Sequence, residues 1–138
     1  MKLERILVAV DGSENSVAAV TWAADLASST GAEVIAVHAL GLLERMDTEP
    51  EPAEPHRDEI QRRFETEWCA PLDGLKSRRL LRDGSAVPVL LGVADEEDVD
   101  LIVLGSRGLG GYPELLLGST STQVAQHSHR PVTIVPTA

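Results

Sequence analysis

The 138-residue sequence has a single cysteine, Cys69. No internal disulfide can form, and nothing stands at metal-ligand spacing from it, which fits a reducing compartment. Cys69 reads as a small, partly buried apolar residue. Lysine is almost missing as well, since Lys2 and Lys76 are the only examples. The balance of 12 basic against 22 acidic residues, a formal net of −10, disfavours nucleic acid as a partner, because polyanion binding works through basic patches that release counterions. A small anionic ligand stays open, since backbone N–H groups and a helix N-terminus hold phosphate without lysine. Long apolar runs are also lacking. The first stops at Asp11, too short for a signal-peptide core, and no later one spans a bilayer. The expectation is a cytoplasmic protein with no membrane partner.

A chain of this length forms one ordinary domain, residues 1–138, able to bury about two-thirds of the surface its unfolded chain exposes. "RILVAV" (Arg5 to Val10) is a nearly continuous apolar run bounded by Asp11-Gly12, the pattern of a parallel strand covered on both faces. The following segment offers caps at Ser13 and Asn15, a face of Val17, Val20, Ala24 and Ala27, and a closing Gly31, which predicts a helix. "AEVIAVHAL" (Ala32 to Leu40) predicts a second strand, and the proline- and glutamate-rich Gly41 to Pro55 a connection without periodicity, read as a tether. "HRDEIQRRFETEWCAPL" reads as one amphipathic helix through Ile60, Phe64 and Trp68, and "SRRLLRDG" as a third strand.

Ser85 to Asp98 predicts a helix with Val87, Leu90, Leu91 and Ala94 on one face and Pro88 tolerated in the first turn. "DLIVLG" is a fourth strand, "STSTQVAQHSHR" a helix and "PVTIVP" a fifth strand. Strands alternating with helices at this length specify an α/β fold: a doubly wound open sheet of five parallel strands with helices on both faces. In the order 3-2-1-4-5, the loops after strands 1 and 4 flank one crevice at the switch point, where such sheets bind ligands.

The loop after strand 4 is the distinctive one: "VLGSRGLGGYPELLLGSTS" packs Gly105, Gly108, Gly110 and Gly111 together, with Gly118 further on. A Walker A loop fails for want of lysine, a dinucleotide G-x-G-x-x-G meets Pro113, and no G-x-S-x-G nucleophile elbow is present. What remains is Gly105-x2-Gly108-x9-Gly118-Ser119, running from a strand to the start of a helix. Glu114 places a carboxylate inside that loop. The four histidines, His38, His56, His127 and His129, show no metal-site spacing and receive no role.

With that spacing the stretch resembles the adenine-nucleotide loop of the universal stress protein family, in its ATP-binding branch. "ILVAVDGSENS", "DLIVLGSRG" and "RPVTIVP" resemble the family too, so the likeness covers most of the chain. The resemblance implies the adenine nucleotide alpha hydrolase-like, or flavodoxin-like, three-layer sandwich, and ATP with Mg or Mn as ligand. It places Ala9, Val10, Ala39 and Leu104 along the adenine, and Asp11 against the ribose or a phosphate-bound metal ion. Gly105 and Gly108 would let the main chain pass close to ribose and phosphates, and Gly118, Ser119 and Thr120 would offer N–H groups and hydroxyls at the positive end of the last helix. Local chemistry alone also allows Asp11 as an Asx-turn residue and Ser119 as an N-cap. Arg107, the only cation in the loop, could approach a phosphate, but an exposed surface arginine is the preferred reading.

Two functions stay open: a regulatory protein that binds ATP with at most slow hydrolysis, and a nucleotide-free interaction module of the same fold. The resemblance also implies a homodimer paired through Val132, Thr133, Ile134 and Val135, an uncharged edge segment that Pro131 and Pro136 bracket without interrupting.

Overall fold

The computed structural model describes residues 2–41, 54–107 and 117–137, with residues 54–56 described by their backbone alone. Strands β1 (Arg5–Ala9), β2 (Glu33–Ala39), β3 (Ser77–Arg82), β4 (Leu101–Gly105) and β5 (Val132–Val135) form one sheet in the order β3-β2-β1-β4-β5. Every pairing is parallel, with Ala9 opposite Val37 and Val8 opposite Val103 in the central ladders. The predicted α/β architecture and strand order are therefore those of the molecule.

Alternation along the strands divides the core between the two sheet faces. Ile6, Val8 and Val34 pack with helix α1 (Glu14–Thr30) and with Phe64, Cys69 and Leu72. Leu7, Ile35, Ile102 and Leu104 pack with helix α3 (Ala86–Glu96) and helix α4 (Ser119–His127) through Leu90, Val93 and Val124. Burial on both faces is why these strands read as continuous apolar runs. Pro88 is the third residue of α3, in the first turn, where its missing N–H has no partner to lose.

Helix α1 starts on Ser13, whose hydroxyl accepts from the Ser16 N–H, and stops at Gly31, where φ is +79°. Asn15 is no cap. Its Oδ1 instead accepts from the Ser106 hydroxyl at 2.8 Å and the Thr137 hydroxyl at 3.2 Å, joining the first turn of α1 to the ends of β4 and β5. The buried stripe of α1 runs through Ser16, Ala19, Val20, Ala23, Ala24 and Ala27. Val17 falls outside it at 44% exposed, against the expectation that it would face the core.

The expected long helix after the acidic connection is three pieces. Helix α2 covers Glu54–Arg63, a π-helical turn Phe64–Trp68, and a 3-10 turn Ala70–Leu72. A wider turn brings Cys69 round to the side of Phe64, and both are fully buried. Pro71, in the first two residues of the 3-10 turn, keeps the α-helix from resuming. Burial raises the Cys69 thiol pKa to about 11, against a smaller opposing pull from Arg79. No helix among the described residues is long and apolar enough to cross a membrane.

Candidate functional site

Because β1 is followed by a crossover to β2 on one side and β4 by one to β5 on the other, the chain splits at the carboxyl ends of β1 and β4. A cleft of about 530 Å³, counted with the part open to solvent, lies there. Its apolar lining is Ala9, Val10, Val37, Ala39, Ala86, Leu90 and Leu104, and its polar lining Asp11, Ser16, His38, Arg107, Thr120 and Ser121, with Gly105 between strand and loop.

Of the residues singled out from the sequence, the structure gathers Ala9, Val10, Asp11, Ala39, Leu104, Gly105 and Thr120 around this one cleft. Gly118 and Ser119 are near its rim but not in its lining. Gly118 is the N-cap of α4, with its N–H donated to the Ser106 carbonyl at 2.6 Å. Ser119 is therefore the first helical residue rather than the cap, and its exposed hydroxyl accepts from Gln123 at 2.9 Å. Gly108, Gly110, Gly111 and Glu114 lie outside the described residues, as does most of Gly41 to Pro55.

Asp11 follows the Asx-turn geometry that its position allowed. Its Oδ1 accepts from the Ser13 N–H at 2.9 Å and the Ser13 hydroxyl at 2.6 Å, while its own N–H donates to Ser16 Oγ at 3.0 Å. The carboxylate is thus tied to the N-terminus of α1. Gly105 also has a reason that the sequence did not show. A Cβ there would lie 2.6 Å from the Asn15 carbonyl oxygen, so the glycine is required by the close approach of α1 to β4. Ser121 donates to the Gly105 carbonyl at 2.7 Å and fixes α4 to the same strand end.

Sequence reasoning missed Ser16, Val37, His38, Ala86, Leu90 and Ser121, and it preferred an open-surface place for Arg107, which the structure puts half-buried in the lining. His38 carried a readable signal: a polar ring in a strand buried on both faces needs a partner. That partner is the Val10 carbonyl, to which Nδ1 donates at 2.7 Å. Burial holds the imidazole pKa below its ordinary value, opposed by the Val10 carbonyl and the Asp11 carboxylate. Burial thus favours the neutral form of the ring. Ala86 and Leu90 carried no such signal, because which helix covers a strand end is a tertiary fact.

A five-stranded parallel sheet with a cleft at its switch point defines the class of doubly wound α/β proteins. Within that class the chain belongs to the universal stress protein family, which it matches over residues 2–136. The universal stress protein YxiE of Bacillus subtilis (strain 168) is 33% identical over 95% of this chain and 97% of its own. Among solved structures, hypothetical protein MJ0577 superposes with a TM-score of 0.83 at 24% identity, over 100% of this chain and 99% of that one. A universal stress protein in complex with cAMP superposes at 0.76 with 26% identity, over 100% of both chains.

Proposed function

We propose that this chain is a regulatory protein that binds an adenine nucleotide, ATP in the first place, in the switch-point cleft. The observation that carries the reading is the lining itself. Small and branched apolar side chains from β1, β2, β4 and α3 offer a surface for a flat base, and Asp11, Arg107 and Thr120 converge on the same space. The first turn of α4 meets the cleft through Thr120 and Ser121, so the positive end of the helix dipole would face a phosphate bound there. The cAMP complex of a relative supports the same ligand class. Asp11 would supply the carboxylate to a Mg or Mn ion carried in by the phosphates. No group of three or more metal-ligating side chains assembles among the described residues, so the ion would depend on the nucleotide.

Hydrolysis is at most slow on this reading. Lys76 precedes β3 at the amino end of the sheet, away from the cleft, and Lys2 precedes β1. Neither reaches a terminal phosphate, and Arg107 is one cation where phosphoryl transfer uses several. The single cysteine supports a reducing cytoplasmic compartment.

Thermal unfolding with and without ATP and Mg²⁺ tests the ligand. At a hundred times its dissociation constant a ligand adds about 2.7 kcal/mol, a rise in Tm of about 9 °C for a chain of this size. An unchanged Tm at millimolar ATP, ADP and cAMP would leave the nucleotide-free interaction module as the reading.

A homodimer through β5 belongs to the same proposal. Strand β5 is an edge, and the Pro131 and Val135 carbonyls accept from Ile102 of β4 and from Ser106 just after it. By alternation Val132 and Ile134 turn their backbone N–H and C=O groups outward, where a second copy can pair with them. Light scattering should give twice the 14.8 kDa chain mass, and Ile134→Pro, which deletes an outward donor without touching the bonds to β4, should give the chain mass. A wild-type monomer at micromolar concentration rules the dimer out.

A further inference from the structure

We propose that His38 is a positioning residue of the cleft: the Nδ1–H donated to the Val10 carbonyl fixes the Val10–Asp11 segment that walls the ligand space. The consequence drawn for nucleotide affinity rests on the function proposed above.

Strand β1 ends at Ala9, opposite Val37, and one further ladder bond runs from the Val10 N–H to the Val37 carbonyl at 2.9 Å. Beyond it the chain turns away into Asp11-Gly12-Ser13. The His38 ring takes up the Val10 carbonyl at 2.7 Å, so both backbone groups of the last residue before Asp11 are held by β2. A carbonyl brings no proton, so Nδ1 must supply it, and the neutral ring is restricted to the Nδ1–H tautomer.

The ring is itself held. Phe64 lies 5.8 Å away, tilted by 40°, and Trp68 meets it edge-on at 5.3 Å. Trp68 also backs the loop directly, since a Cβ on Gly12 would lie 2.7 Å from the indole, and Gly12 has φ +83°. The π-helical turn thereby supports His38 and the Asp11-Gly12 loop with one side chain. Asp11 passes the constraint to α1 through Ser13 and Ser16.

Packing alone does not account for a histidine here. Val34, Ile35, Ala36 and Val37 before it are buried and apolar, and an apolar side chain would fill the site without the cost of burying a polar ring. The donor is what an apolar residue lacks.

The test compares wild type with His38→Leu, which removes the donor, and His38→Asn, whose amide N–H stands close to the position of Nδ1. In the ligand-free wild type, heteronuclear NMR of the imidazole should report the Nδ1–H tautomer. Hydrogen exchange of the Asp11 and Gly12 amides should rise about tenfold in His38→Leu and return toward wild type in His38→Asn, the size expected for one lost buried hydrogen bond. The ATP dissociation constant, by calorimetry with Mg²⁺, should follow the same order and size. An Nε2–H tautomer, unchanged exchange in His38→Leu, or an asparagine variant no better than leucine overturns the proposal. The tautomer is read without any substitution, so a leucine variant that fails to fold still leaves it decided. A wild type that binds no nucleotide sinks the nucleotide reading, while tautomer and exchange continue to judge His38.

Discussion

Gly105→Ala is expected to destabilise the protein by about 3 kcal/mol and to lower its Tm by about 10 °C, the upper range for forcing atoms into a packed interior. The new methyl would stand 2.6 Å from the Asn15 carbonyl oxygen, 2.7 Å from the carbonyl carbon and 2.8 Å from the Asn15 Cβ. Backbone is on the far side of each contact, or the carbon next to it, so no flexible side chain can swing away. Relief requires moving α1 off β4. That motion is opposed by the buried alanines of α1, by the Ser13 cap and by the Ser106 to Asn15 hydrogen bond. Gly105 has no left-handed backbone, so the effect is one of contact alone. Gly92 is the control: it lies in the middle of α3, where an added methyl would meet nothing within 4 Å, and Gly92→Ala should stabilise by about 0.5–1 kcal/mol. Equal effects at the two positions, measured by thermal and urea unfolding, would contradict this account.

The same glycine shows what a sequence can and cannot disclose about a site. That Gly105 needs to be a glycine was legible from its place at the end of an apolar strand. The neighbour that demands it was not, since Asn15 is distant in the chain and near only because β1 and β4 are paired. The strands were legible throughout because burial on both faces forces continuous apolar runs, while right-handed crossovers only narrowed their order, and the assumed 3-2-1-4-5 is the order of the sheet. The break of α2 into a π-helical turn was not, because Ile60, Phe64 and Trp68 keep an i, i+4 spacing whichever hydrogen-bond register the backbone adopts. The loop beginning at Asp11 could be placed at the cleft from the end of its strand, whereas Ala9 and Ala39 came only from the family resemblance. His38, one residue from Ala39, signalled only that a polar ring in a buried strand needs a partner; which partner was not legible, because backbone carbonyls leave no mark in a sequence.

Ala39→Phe should weaken ATP binding at least about 100-fold, equivalent to about 2.7 kcal/mol, while leaving the fold in place. Ala39 is the last residue of β2, half-buried, and lines the cleft beside Val37, Leu90 and Leu104. A ring at this position occupies the apolar surface offered to the base, so the substitution competes with the ligand for the same volume. The strand itself tolerates the change, since phenylalanine is well suited to a pleated, half-buried position and the pairing of Ala39 with Arg82 uses only backbone. Far-UV circular dichroism and Tm should therefore stay close to wild type, which separates blocking from unfolding. Calorimetry with ATP and Mg²⁺ gives the affinity. Wild-type affinity in the folded variant would place the nucleotide elsewhere, because the two rings cannot share the cleft.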